Sequence, residues 1–271
     1  MTIHSAAMVR RDDEMSTGPA RPANVVEAES VSFTYPNGRR AIKDLDLNIG
    51  AGEIVGIVGP SGCGKSTFLN VLADSEVPDS GRLARPPLGD LTMMFQNNTL
   101  LPWRTVEKNV TLGFSYLKRE APSQEYVDDL LRLGRLADVA HNYPKELSGG
   151  MRRRVAFLTA LAVKPKLILL DEPFSAIDEP TRIGIHQDVL HIVREMDTAV
   201  LLVTHDLSEA ITLCDRVVIF RQAPGKVVAE KTMPFGRDRD VYALRRDSRY
   251  AEIYSDLWEV LSNEIKGGAG D

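Results

Sequence analysis

The chemistry of this chain is expected to centre on a glycine-rich stretch that fits the phosphate-binding pattern G-x-x-x-x-G-K-[ST]. Glycines let the backbone curl so that successive N–H groups face one anion, and the helix that follows adds positive potential at its start. Lys65 can then reach the β- and γ-phosphates, and the Ser66 hydroxyl can bind Mg²⁺. The sequence therefore predicts a nucleoside triphosphate site. The stretch reads Gly59, Pro60, Ser61, Gly62, Cys63, Gly64, Lys65, Ser66, Thr67.

Gln96, Asp171, Glu172 and His205 each stand at the end of an apolar, strand-like run. In an open parallel sheet, ligands bind at the carboxyl ends of the strands. There Asp171 can hold Mg²⁺, Glu172 can orient or deprotonate the attacking water, and His205 can donate to the γ-phosphate. Taken alone, Asp171 and Glu172 are also typical of a solvated strand end. His205 alone is compatible with a loop histidine that has no task, and Gln96 alone indicates only polar surface.

A second anion-binding turn is predicted at Ser148-Gly149-Gly150, just before a helical stretch. Ser148 is a favoured residue to cap a helix, and the glycines leave backbone N–H groups accessible. Because the chain already contains a phosphate loop, one nucleotide held by both turns is most simply explained by a two-fold dimer. Each subunit would then supply the half-site that the other lacks.

Two residues near the phosphate loop have more than one interpretation. Tyr35 follows a strand-like run and precedes the turn Pro36-Asn37-Gly38, so its ring can stack on a nucleotide base or cap the small core beside it. Cys63 lies inside the loop, where a thiol can be reactive, but the pattern accepts any residue there and we favour a small filler.

Composition narrows the class of protein. The 271 residues carry a formal net charge of −5, whereas a chain that clamps DNA or RNA usually has a basic face. Two cysteines are too few for a disulfide framework and favour a reducing compartment. No apolar run approaches the roughly 18 residues that span a bilayer. We expect residues 1–24 to be a disordered leader and the chain to be cytosolic unless a partner holds it to a membrane.

The elements that must position these residues follow from hydrophobic spacing. Apolar runs before the phosphate loop, before Asp171 and before His205 predict buried parallel strands, and 25–33 and 41–49 predict strands of a more exposed sheet. Pro78-Asp79-Ser80-Gly81 predicts a turn. Helical spacing predicts an inserted lobe at about 97–165 and a C-terminal helical tail at 236–271, with Tyr250, Ile253, Tyr254 and Leu257 on one stripe. The main domain is then 25–235.

Together these motifs resemble the ATP-binding-cassette ATPases over about 25–221. The resemblance implies an α/β fold: a P-loop NTPase core with a parallel sheet, an N-terminal antiparallel β subdomain and an inserted α-helical subdomain. It also implies that the ligands are ATP and Mg²⁺. The matching motifs, in the family's order, are Gly59–Thr67, Gln96, Leu147–Gly150, Leu169–Pro173 and His205.

Further roles are implied by the resemblance alone. Tyr35 stacks on adenine, and Gln96 is a metal ligand that links the γ-phosphate to the membrane partner. Ser148, Gly149 and Gly150 contact the γ-phosphate of ATP held by the other subunit. The stretch 175–178 looks like the loop that communicates across the dimer, with Ile177 where the family usually has Leu.

Within the family, 100–106 and 148–152 resemble the importers for nitrate, sulfonates and taurine. This implies an ATPase subunit that pairs with a second ATPase subunit, most simply a copy of itself. The subunit would lie at the cytoplasmic face of the inner membrane. Its partners would be transmembrane permease subunits and, indirectly, a solute-binding protein. Met151, Arg153 and Thr159 depart from the family pattern in the helix after Gly150. We expect 152–154, all Arg, to lie on a helix face near the dimer seam.

Two other classes compete with a transporter. A soluble cassette ATPase that acts on nucleic acid or ribosomes usually has two cassettes or a long coiled-coil insert, and this chain has neither. A cassette that regulates its partner without turnover is disfavoured by intact Lys65, Glu172 and His205. The transported solute cannot be inferred, because the ATPase subunit does not touch it.

Overall fold

The computed structural model describes residues 23–95, 100–175 and 179–267, which form two β-sheets with helices packed around them. The strands are β1 (Asn24–Thr34), β2 (Arg40–Gly50), β3 (Ile54–Val58), β4 (Ser80–Ala84), β5 (Leu91–Met94), β6 (Leu167–Asp171), β7 (Ala199–Thr204), β8 (Arg216–Phe220) and β9 (Val227–Thr232). The α-helices are α1 (Lys65–Leu72), α2 (Val106–Val110), α3 (Leu112–Tyr116), α4 (Gln124–Leu133), α5 (Gly149–Leu161), α6 (Glu179–Met196), α7 (Leu207–Leu213), α8 (Val241–Leu244) and α9 (Ser248–Gly267). Short 3-10 helices span Leu88–Asp90, Ala137–Val139 and Pro144–Glu146.

The larger sheet has six strands in the order β5-β6-β7-β3-β8-β9. The first five are parallel, and β9 pairs antiparallel with β8 at one edge. β3, β7 and β8 are buried along their whole length, which explains their near-continuous apolar sequence. This confirms the predicted α/β class with a parallel sheet.

The smaller sheet has the order β2-β1-β4, and both pairings are antiparallel. This confirms the predicted N-terminal antiparallel sheet, but its third strand was missed. The predicted turn at 78–81 in fact runs into β4, which starts at Ser80. β4 is largely exposed and has little apolar content, so backbone pairing with β1 decides its conformation. Helix α1 packs between the two sheets, where Phe68 and Leu69 are fully buried.

Between β5 and β6 the described chain is helical, and α2 to α5 lie within the predicted span of 97–165. The C-terminal helix α9 buries Ile253, Leu257 and Leu261 against the domain. Tyr254, which belongs to the predicted stripe, is 37% exposed and stacks on Trp258. The domain boundaries themselves remain predictions. Within the described part of the chain, no helix has the length and apolar character that crossing a membrane requires.

Candidate active site

The strand order explains how the predicted site residues converge. Strands β6, β7 and β3 are neighbours, and all three run in the same direction. Their carboxyl ends therefore place Asp171, His205 and the phosphate loop side by side at one edge of the sheet. The fourth strand of the set, β5, lies next to β6 and leads to Gln96, which is outside the described residues.

The phosphate loop connects β3 directly to α1, as the motif predicts. Gly62 and Gly64 have φ angles of +77° and +101°, which side chains with a Cβ rarely adopt. A Cβ on Gly64 would also lie 2.5 Å from the Ala41 carbonyl oxygen. The Lys65 ammonium group is buried beneath the loop and donates hydrogen bonds to the carbonyls of Gly59 (2.7 Å) and Pro60 (2.9 Å). The loop is therefore held in a curled form by its own lysine.

Ser66 and Asp171 offer hard oxygen atoms at the same point. The Ser66 hydroxyl donates to Oδ1 of Asp171 over 3.1 Å. Burial raises the pKa of Asp171, and the Ser66 hydrogen bond opposes that shift. Such a carboxylate gains from a nearby cation, and hydroxyl and carboxylate oxygens are the donors that Mg²⁺ prefers. No group of three or more His, Cys, Asp or Glu in the described residues is arranged to hold a metal alone. A magnesium site here would need phosphate oxygens as well.

Glu172 and His205 form the second pair at this edge. His205 Nδ1 lies 3.1 Å from Oε2 of Glu172, and the His205 side chain is 62% exposed. Glu172 has a left-handed backbone with φ of +46°, while its N–H donates to the Val203 carbonyl over 2.8 Å. A non-glycine residue in this region costs energy and turns its side chain out of the strand direction. With this backbone, the Glu172 carboxylate lies within hydrogen-bond distance of His205.

Tyr35 and Cys63 flank the loop in different ways. The Tyr35 hydroxyl bonds to the Thr67 hydroxyl over 2.8 Å, and its half-buried ring meets Phe33 edge-on, with Arg39 over its face. Both interpretations of Tyr35 remain compatible with this placement. Cys63 is fully buried, and burial raises the pKa of its thiol, which favours the filler interpretation over a reactive thiolate.

The second predicted turn starts α5. Ser148 caps the helix, and its hydroxyl accepts a hydrogen bond from the Met151 N–H over 3.2 Å. Ser148 and Gly149 are exposed. Among the described residues, no hydrogen bond joins this turn to the phosphate loop of the same chain. Its contact with a nucleotide remains a prediction, as do the roles given to 176–178, which lie outside the described residues.

Sequence reasoning missed a set of buried polar residues behind the site. Arg153, His186 and Glu209 are each 5% exposed or less. We expected residues 152–154 on a helix face near the dimer seam, and Arg153 is the one of the three that is buried. Only the arginine run 152–154 could have drawn attention to this cluster, because His186 and Glu209 occur in helices without a motif of their own.

Comparison with known proteins gives consistent results. A family model described as ABC transporter matches residues 42–175. The nitrate import ATP-binding protein NrtD of Synechococcus elongatus is 35% identical in an alignment of length 259 that covers 91% of this chain and 94% of that protein. The aliphatic sulfonates import ATP-binding protein SsuB of Burkholderia ambifaria is 37% identical in an alignment of length 279 that covers 99% of this chain and 83% of that protein.

Solved structures agree with the sequence comparison. The dimeric structure of a post-hydrolysis state of the ATP-binding cassette MJ0796, bound to ADP and Pi, superposes with a TM-score of 0.63 and 32% identity. The match covers 77% of this chain and 98% of that chain.

Proposed function

The chain belongs to the ABC transporter family and is an ATPase, and from this premise we propose that it powers an importer of a small anion. The observation that carries the proposal is the meeting of two pairs, Ser66 with Asp171 and Glu172 with His205, beside one phosphate loop. The resemblance alone does not place these side chains. Their contacts at the shared sheet edge support the roles given below.

Each side chain has a separate task in the proposed reaction. The loop N–H groups and Lys65 bind the phosphates, while Ser66, Asp171 and Gln96 would hold Mg²⁺. When bound, Mg²⁺ offsets negative charge on the phosphate oxygens. Glu172 orients the attacking water and accepts its proton, and His205 donates a hydrogen bond to the γ-phosphate. Catalysis then consists mainly of positioning and charge stabilisation.

The complete site would need two chains. Ser148, Gly149 and Gly150 begin a helix with accessible N–H groups, which suits the γ-phosphate of a nucleotide bound to another subunit. The solved relative MJ0796 is a dimeric cassette with ADP and Pi. We propose the same two-fold arrangement here, in which ATP joins the subunits and hydrolysis releases them. Binding energy that exists only in the closed dimer shifts the population towards it.

A permease would dock on the helical lobe. Trp103 is 71% exposed, and Phe95 and Tyr116 are also exposed. Leu100 and Tyr116 help to line a nearby cleft of about 240 Å³ between β5 and helices α3 and α5. Exposed aromatic side chains beside a cleft are typical of protein contacts.

Replacing Trp103 with Ala should weaken stimulation of hydrolysis by reconstituted permease and leave basal hydrolysis close to the unmodified rate.

The solute class comes from the relatives. The matched proteins are named for import of nitrate and of aliphatic sulfonates, so we propose a small inorganic or organic anion. A solute-binding protein would deliver it, and the chain would work peripherally on the cytoplasmic side of the membrane. Relatives of this kind do not favour the nucleic-acid alternative. Strong stimulation of hydrolysis by RNA or DNA, without stimulation by permease, would restore it.

The sharpest test of the site is Glu172→Gln. The variant should bind ATP with unchanged affinity, hydrolyse it at least about 100-fold more slowly and accumulate as a dimer in saturating Mg-ATP. Single-turnover hydrolysis and light scattering measure both effects. Hydrolysis at the unmodified rate would show that Glu172 is not the catalytic carboxylate. A variant that stays monomeric, with ATP touching one chain, would reject the shared site.

A further inference from the structure

Three buried polar side chains lie behind the catalytic edge, on three different helices. Arg153 belongs to α5, His186 to α6 and Glu209 to α7, and their exposures are 4%, 5% and 4%. Buried ionisable side chains are rare in proteins because each loses its hydration, and those that occur are usually paired with another group. The reaction described above uses none of the three.

Glu209 is tied to the end of β7. Its Oε2 accepts a hydrogen bond from the Thr204 hydroxyl over 2.5 Å, and the same hydroxyl accepts one from the Asp206 N–H over 3.0 Å. His186 Nε2 lies 3.8 Å from Oε1 of Glu209, and the His186 ring packs edge-on against Phe174. The residues on both sides of His205 are therefore bonded into the buried cluster.

Arg153 contacts the backbone of Glu172. Its guanidinium donates to the Glu172 carbonyl over 3.4 Å, and the Ser175 hydroxyl donates to the same carbonyl over 3.0 Å. Burial lowers the pKa of Arg153, and the negative charge of Glu209 acts in the opposite direction. The arginine thus contacts the turn at which Glu172 has a left-handed backbone.

We propose that Arg153 is a positioning residue for Glu172. Helix α5 begins at Ser148, in the turn proposed to meet the nucleotide of the second subunit. Through Arg153, a rigid helix from that turn holds the backbone of the catalytic carboxylate in the same subunit. Arrival of the partner's ATP at Ser148 would then fix Glu172 for the reaction at the subunit's own nucleotide. The inference rests on the proposed catalytic role of Glu172.

The test uses two single variants, Arg153→Met and Arg153→Gln, and one double variant that combines Arg153→Met with Glu209→Gln. All three are made in the full chain. Arg153→Met removes the donor and should lower kcat at least about tenfold while the Kd for ATP changes less than about twofold, because misplacing a catalytic group acts on the chemical step. Arg153→Gln keeps a donor and should retain most of kcat. The double variant replaces both buried ionisable side chains with neutral ones, so it should recover thermal stability but not kcat.

Arg154→Met is the matched control. Arg154 is the next residue on α5, but its contacts are with Gly134 and Asp188 rather than with Glu172. Its kcat should stay near the unmodified value. Recovery of kcat in the double variant, or equal losses in the Arg153 and Arg154 variants, would show that Arg153 serves stability alone and would overturn the proposal.

Glu172→Gln is measured in parallel. If it loses turnover while Arg153→Met keeps it, only the positioning role is wrong. If Glu172→Gln turns over normally, the catalytic assignment fails and the positioning role fails with it.

Discussion

Thr204 and His205 are adjacent at the end of β7, yet they belong to two different polar regions. Thr204 is 1% exposed and bonds to the buried Glu209, whereas the His205 side chain is 62% exposed and pairs with Glu172. Successive side chains of a strand point to opposite faces, so a single step along the chain separates the two regions. The exposed region can meet a nucleotide, and the buried region can act only through the residues that it holds.

The acidic and basic side chains of the buried region also have shifted pKa values. Burial raises the pKa of Glu209 to about 7 and lowers the pKa of His186 to about 3. Both groups are thereby pushed towards their neutral forms, as expected when charge is moved away from water. Two similar pairs of histidine and glutamate therefore differ in solvent access, which decides whether a pair can exchange protons with a ligand.

The largest effect should come from the exposed pair. His205→Ala should lower kcat by about 100- to 1,000-fold, because a hydrogen-bond donor aimed at developing charge is lost, and the free energy of unfolding should hardly change. The control is His141→Ala, since His141 is also exposed and lies 3.6 Å from Glu107. Steady-state hydrolysis and thermal unfolding measure both variants. Equal activity in the two would remove the distinction between the catalytic edge and ordinary surface.

The buried region should respond in stability and its pH dependence. The pKa of Glu209 is about 7 in the folded chain against an ordinary value of 4.5, so the folded state binds this proton more tightly. Glu209 therefore makes the chain less stable as pH rises from about 4.5 to about 7. His186 has the opposite effect: it makes the chain more stable as pH rises from about 3 to 6.5, because in that range the unfolded state binds the proton and the folded state does not. The two contributions to the free energy of unfolding should therefore offset each other between about pH 4.5 and 6.5.

Glu209→Gln removes the pH dependence of stability that comes from Glu209. The free energy of unfolding of the variant, relative to the unmodified chain, should increase by about 3 kcal/mol between pH 4.5 and 7, at 1.36 kcal/mol per pKa unit. Urea unfolding at a series of pH values measures the difference. A difference that stays constant with pH would mean that Glu209 has the same pKa in the folded and the unfolded chain, and the contrast between the two regions would weaken.

Most of the exposed region could be predicted from the sequence. The phosphate loop has a local pattern, and Asp171, Glu172 and His205 follow apolar runs that must be buried strands. The order β6-β7-β3, which brings them together, has no local signature, because it depends on which strands pair. β4 was missed for the same reason. Its polar residues carry no alternation, and only pairing with β1 makes it a strand.

The buried region could not be predicted. Charged residues are mostly exposed in proteins, so nothing in the sequence separates the buried Arg153 from its neighbours Arg152 and Arg154. Its burial follows from the packing of α5 against the turn at Glu172. Glu209 lies in the first turn of α7, where an acidic residue normally faces solvent and favours the helix dipole. Only the fold shows that this turn points inward.

The smallest effect should come from Thr204→Val, which keeps the shape of the side chain and removes its hydroxyl. Glu209 would lose its donor, so the variant should be less stable by about 1–2 kcal/mol, and the pKa of Glu209 should rise further because the Thr204 hydrogen bond lowers it. An ionised carboxylate needs that donor more than a protonated one, so the loss should be greater at pH 8.5 than at pH 5.5. Thr204→Ser retains the hydroxyl and should show no such pH dependence. If both variants lose the same stability at both pH values, the methyl group matters rather than the hydrogen bond, and the inner region would be held by packing instead of by its polar contacts.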